Sequence, residues 1–167
     1  MAMHALLLPE LDHELAKTRT TLERVPSGKD GFAPHPKSMP LGMLAAHVAQ
    51  LTEIGLSVLS SDAVDFSDGS FVPLKFESAA QLVTVLDEGG ANVREALQRV
   101  PDASWNDTWT LSFQGGTLFK GARFVAYREL FLNHLVHHRA QLGVYLRLTG
   151  DSVPATYGPS ADDRQAF

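Results

Sequence analysis

Residues 133–150 read NHLVHHRAQLGVYLRLTG, and the way this stretch is buried decides the fold. Gly150 stands where a C-terminal helix cap belongs, Arg147 lies in the last turn and Pro154 follows. These signals end a long helix that begins near Ala122 and runs to about Thr149. At about 100° per residue, Tyr127, Leu130, Phe131, His134, His138, Gln141, Leu142 and Tyr145 share one stripe, which faces a core. Three of the chain's seven histidines fall within five positions here. His134 and His138 are separated by only about 40° and one turn, the spacing that lets two imidazoles meet one metal ion. His137 lies about 60° to the other side of His134 and flanks the pair rather than joining it. The same i, i+4 spacing also arises by chance on helix surfaces. The reading therefore turns on whether a partner comes from elsewhere.

Working outward, His47 lies between Leu44 and Leu51 on a second helix, on the stripe Met43, Leu44, His47, Leu51 and Ile54. Ser38 is its expected N-cap, Pro40 is tolerated in its first turn, and it runs to about Ser60. Alone, His47 reads as a hydrogen-bonded core histidine. Converging with His134 and His138, it makes a set of three neutral imidazoles with an open fourth position, the form of a catalytic metal site. His4, His13 and His35 sit at the terminus, among charges and between prolines, and are expected at the surface.

An amphipathic first helix spans roughly Ala5 to Val25, with Leu8, Leu11, Leu15 and Leu22 at helical spacing. The Pro- and Gly-rich PSGKDGFAPHPKS is a loop. Ser78 and Gln81 form a capping box that opens a third helix ending at Pro101, and Gly89-Gly90 in its middle signals a kink or a close helix contact. DTWTLSFQGGTLFKG alternates Trp109, Leu111 and Phe113 and then turns at Gly115-Gly116, which fits a short β-hairpin before the last helix. Four helices of this length predict an all-α, four-helix bundle forming a single domain over residues 1–167. The connection over 61–77 extends to about 55 Å, whereas a helix of about 22 residues is about 33 Å long. Helices two and three can therefore run parallel.

Bulk properties narrow the function. The chain has 167 residues, no cysteine and a net charge of −5, with no basic block. Disulfides, thiolate ligands and a cysteine nucleophile are excluded, so a transition-metal site must use His, Asp or Glu. A nucleic-acid surface and an electrostatic membrane anchor are not expected. The short apolar run near the N-terminus is broken by Pro9, and no segment is read as the roughly 20 apolar residues that span a bilayer. A cytoplasmic protein is the default expectation.

The stretches PHPKSMPLGMLAAHVAQL, NHLVHHRAQLGVYLRLTG and PATYGPSADD together resemble the DinB/YfiT-like family of helical-bundle metalloenzymes, across essentially the whole chain. The most specific element is one helix-two histidine followed far downstream by His-x-x-x-His-Arg-x-Gln-Leu. The resemblance implies that His47, His134 and His138 bind a divalent metal, nickel or zinc, in a bundle with parallel central helices. It also implies homodimers, and thiol-dependent transferases or isomerases that use low-molecular-weight thiols such as bacillithiol or mycothiol.

The residues themselves leave three functions open: a metal-dependent thiol-S-transferase acting on small electrophiles, a hydrolase using metal-activated water, and a non-catalytic, stress-associated metal-binding dimer. Gln141, a turn beyond His138, is placed to orient a ligand or a water. Tyr145 and Tyr127 are weaker assistants, better explained as core residues with satisfied hydroxyls. Arg139 is expected in a salt bridge or an interface, and Glu53 and Asp12 on solvated faces.

Overall fold

The computed structural model describes residues 2–164, so residues 1 and 165–167 of the expected 1–167 domain lie outside the described residues. Helix α1 spans Met3–Leu22, α2 Leu41–Ser60 and α3 Ala79–Arg99. The C-terminal helix is continuous but composite. It has an α-turn at Arg123–Ala126, a π-helical stretch at Tyr127–Leu132 and an α-helical stretch at Asn133–Leu148. It ends as expected. Gly150 takes φ +81, Gly150 N–H donates to the Arg147 carbonyl and Asp151 N–H to that of Leu146, the Schellman pattern.

Packing contacts set the helix directions. Gly42, at the start of α2, lies against Phe76 just before α3, while Thr52 and Gly89 meet at the middle of both helices. Leu59 and Ser60 then share a groove with Arg99 and Val100 at the far ends. Helices α2 and α3 therefore run in the same direction, joined by the long 61–78 connection. Helix α1 opposes α3 through Arg19–Asp87, Arg94–Asp12 and Met3 N–H to Asp102. The C-terminal helix opposes α2, with Arg123 at the end of α2 and the Tyr145 hydroxyl donating to the Met39 carbonyl before its start.

The two glycines of α3 serve one contact each. A Cβ on Gly89 would lie 2.0 Å from Thr52 Oγ1 of α2, and one on Gly90 would lie 2.8 Å from Leu15 Cδ1 of α1. Close approach on two faces, rather than a kink, explains the pair. Ser78 caps α3 by accepting from Gln81 N–H at 3.1 Å, and the Gln81 side chain accepts from Glu77 N–H at 3.0 Å.

The all-α expectation is corrected by a three-stranded mixed sheet. Strands β2 (Thr108–Phe113) and β3 (Gly116–Ala122) form an antiparallel hairpin. Gln114 and Gly115 both have positive φ and make its turn, one residue earlier than Gly115-Gly116. Strand β1, only Ala63–Asp65, pairs in parallel with the outer edge of β2, Val64 opposite Leu111. A three-residue strand leaves no periodicity in sequence; it exists because β2 offers it an unpaired edge. Arg123, 5% exposed, anchors this corner by donating to the carbonyls of Val58 and Ser61 and to Asp62. A cation thereby satisfies the carbonyl end of α2.

Three smaller expectations also change. Pro40 precedes α2 with no side-chain cap, and Ser38 instead closes a turn onto the His35 carbonyl. Met43 is 58% exposed, off the buried stripe. Helix α2 is long and apolar enough, by length and composition, to cross a membrane, which the reading of the chain discounted. Its apolar surface is accounted for inside the fold, where α1, α3, the sheet and the C-terminal helix cover it.

Candidate metal centre

Helix α2 and the C-terminal helix, crossing in opposite directions, bring His47 face to face with His134 and His138. Nε2 of His47 is 3.4 Å from Nε2 of His134, which is 2.8 Å from Nε2 of His138. The ligand atoms of all three lie within 4.8 Å of one another. His138 is buried, and the other two are half-buried. Imidazoles sharing an ion at about 2.0–2.1 Å in tetrahedral geometry hold their nitrogens about 3.3 Å apart, so the spacing suits one shared cation.

The hydrogen bonds behind the rings settle their tautomers. The Leu130 carbonyl can only accept, so His134 donates from Nδ1, at 3.3 Å, and turns a lone pair on Nε2 inward. His138 Nδ1 donates to Gln141 Oε1 at 2.7 Å, with the same result. Two lone pairs then face each other across 2.8 Å. That arrangement is repulsive unless positive charge lies between them. The donor set therefore fits a divalent ion, and the backing hydrogen bonds are the kind that orient metal-binding histidines.

Electrostatics agree. Burial, reinforced by the neighbouring His138 and His134, pushes His47 down to about 4. Burial also lowers His134 and His138, against the opposing hydrogen bonds to Leu130 and Gln141. All three rings are neutral near pH 7, the form in which imidazole binds metal.

A cavity of about 310 Å³ opens beside His47 and His134, with mostly apolar walls from Ile54, Leu130, Val64, Phe66, Phe71 and Leu111. Four of these six residues come from the sheet and the 66–71 connection. The correction to the fold class is thus a correction to the site, because a bundle without the sheet would leave the histidines beside open solvent.

The other expected residues separate. Gln141 backs His138. Tyr145 does not reach the centre; its hydroxyl donates to Met39 O at 3.0 Å and its ring packs edge-on against Phe32. Tyr127 is fully buried, and its hydroxyl finds no hydrogen-bond partner, contrary to the expected satisfied group. His137 is exposed, its ring 4.8 Å from that of His138, and it stays outside the trio. Arg139 points the opposite way and pairs with Glu14 at 2.7 Å, both buried. Asp12 and Glu53 are both exposed, as expected; Asp12 pairs with Arg94 between α1 and α3, and Glu53 also lines the cavity. His13 and His35 are exposed, but His4 is half-buried.

Sequence reasoning missed three contributors. The π-helical stretch ends two residues before His134, and such bulges recur at functional sites. The Leu130 carbonyl is backbone and carries no side-chain signal. Gln50, which lines the cavity and ties down the 72–74 connection, reads simply as a polar residue three positions after His47.

Three solved structures share this architecture. A DinB-like protein from Bacillus cereus ATCC 10987 matches with a TM-score of 0.67 and 22% identity, over 90% of this chain and 95% of its own. One from Bacillus subtilis gives 0.63 and 16%, over 93% and 98%. A DinB-family protein from Exiguobacterium sibiricum 255-15 gives 0.62 and 20%, over 90% and 94%. These likenesses establish the fold. No curated protein matches the sequence. The family model for DinB matches residues 17–166, nearly the whole chain and all three converging histidines, and the chain therefore belongs to the DinB family.

Proposed function

We propose that this protein is a divalent-metal-dependent thiol-S-transferase acting on small electrophiles, with nickel or zinc held by His47, His134 and His138. One observation carries the reading: three neutral imidazoles turn their Nε2 atoms to a common point at the end of an apolar cavity. A structural site would be closed by a fourth protein ligand, and none of the described residues supplies one.

An ion bound there supplies Lewis-acid charge that favours the deprotonated form of a thiol. The chain's own residues do the rest. Leu130 and Gln141 hold two imidazoles in the metal-binding tautomer. The apolar walls exclude water, which favours attack by sulfur over hydrolysis. In the transfer, the thiol loses its proton, a carbon–sulfur bond forms, and the leaving group departs with the bonding electrons. The absence of cysteine suits this chemistry, since the sulfur nucleophile comes from a low-molecular-weight thiol. The protein is further proposed to act as a cytoplasmic homodimer.

The test is spectroscopic. Protein reconstituted with zinc or nickel is mixed with bacillithiol, mycothiol or cysteine and 1-chloro-2,4-dinitrobenzene, and thioether absorbance is followed. Turnover that disappears in His47→Ala and on chelation supports the reading. Thioether formation at the uncatalysed rate with every metal and thiol removes it, and ester hydrolysis by the same samples would move the assignment to a hydrolase.

A further inference from the structure

The cavity beside the histidines carries a charge pattern of its own. Among the residues lining it there is no Lys or Arg, and Glu53 is the single carboxylate. Among the described residues Glu53 enters no ion pair. It is nevertheless held in place. Gln50, 7% exposed, donates from Nε2 to both Glu53 oxygens at 3.1 Å and to the Val72 carbonyl at 2.7 Å, while its Oε1 accepts from Leu74 N–H at 2.9 Å. A buried amide thus aims the exposed carboxylate and also fastens the chain just after Ser70 and Phe71, which line the cavity. Beyond Gln50, the carboxylate's remaining lone pairs stay open to a ligand.

The same cavity is lined by aromatic rings. Phe66 and Phe71 both belong to its wall, with ring centroids 5.3 Å apart. A carboxylate and aromatic rings lining one small volume attract positive charge by two routes, direct attraction and cation–π contact. Neither route helps an anion. A cavity of about 310 Å³ holds one aromatic ring and a short chain.

We propose that this cavity selects apolar, aryl-sized ligands bearing an amine or ammonium group, with Glu53 as their counter-charge, and rejects carboxylates. The inference rests on reading the cavity as the substrate site and names the class of electrophile it admits. Glu53 is a specificity residue: it meets the far end of the ligand, not the reacting atoms.

The test is calorimetric titration of the full-length chain, chelator-treated so that no cation at the histidines binds the anionic probe. The probes are 2-phenylethylammonium, 2-phenylethanol and 3-phenylpropionate. The unsubstituted protein is expected to bind the ammonium about fivefold more tightly than the alcohol, and the carboxylate weakest of all. Glu53→Gln should keep the alcohol affinity and bring the three within about twofold of one another. Equal binding of ammonium and carboxylate, no binding of any probe, or a preference that survives Glu53→Gln overturns the proposal. The same titration in His138→Ala separates it from the transferase reading. A charge preference retained there, while the unsubstituted, metal-loaded protein forms no thioether, leaves the selectivity standing and the transferase assignment lost; turnover by the unsubstituted, metal-loaded protein without charge preference gives the reverse.

Discussion

His138 and Arg139 are neighbours in sequence and belong to opposite kinds of polar cluster. On one side of the C-terminal helix, Arg139 is fully employed. It pairs with Glu14 at 2.7 Å and donates to the Glu14 carbonyl at 3.0 Å, to Thr18 Oγ1 at 3.2 Å and to the Tyr157 hydroxyl at 2.7 Å. Tyr157 in turn donates to the Glu14 carboxylate at 2.6 Å. Opposite charges, all partnered, bind α1 and the segment after residue 150 to the helix. On the other side, three neutral rings converge, and His134 and His138 turn lone pairs toward one another across 2.8 Å. A buried polar cluster that closes on itself stabilises a fold; one that is complete only with an added charge belongs to function.

The largest expected effect lies on the closed side. Arg139→Met leaves the Glu14 carboxylate buried without its cation and should cost about 3–5 kcal/mol in urea unfolding. A loss below about 1 kcal/mol would show that the cluster does not stabilise the fold.

The open side should behave in the opposite sense. His138→Ala is expected to leave the ion-free protein as stable as before, or more so, because it removes one of two opposed lone pairs. Zinc or nickel at a hundredfold excess over its Kd should stabilise the unsubstituted protein by about 2.7 kcal/mol, and this gain should vanish in His138→Ala. Thermal unfolding with and without ion reads both outcomes. A large destabilisation of the ion-free variant would place His138 with Arg139 as a structural group.

Gln141→Ala probes the hydrogen bond behind the ring. Metal affinity should fall about 10- to 100-fold by competition titration, with stability changed by no more than about 0.5 kcal/mol, since Gln141 is exposed.

The last effect is on pH dependence. His47 is held down at about 4 by burial and its two histidine neighbours, against about 6.5 in an unfolded chain. Between those values the unfolded state takes up a proton that the folded state refuses. The resulting stability is whole above about 6.5 and declines as pH falls toward 4. His47→Gln should flatten the urea-midpoint profile over that interval; an unchanged profile would show that His47 titrates normally.

Much of the site was legible because helical spacing is a local property. His134 and His138 fall on one stripe whatever surrounds them, Gln141 lies a turn beyond, and the capping signals at Ser78 and Gly150 act over a few residues. The length of the 61–77 connection similarly permitted parallel helices before any contact was known. Leu8, Leu11, Leu15 and Leu22 mark α1 in the same local way. Family resemblance added the metal and the thiol, which no spacing in the chain specifies.

What the tertiary structure decided are the matters that depend on distant partners. Strand β1 exists through the free edge of β2, so the sheet, and with it part of the cavity wall, could not be read from three residues of sequence. The π-helical stretch packs Phe131 on Gly55 of α2, a contact between helices far apart in the chain. Glu53 is exposed, as its position in the sequence suggests, but its place beside Gln50 at the cavity could not be read there. Periodicity assigns a residue to a face, but whether that face meets solvent, a charge or another ring is fixed only when elements far apart in the chain close on one another.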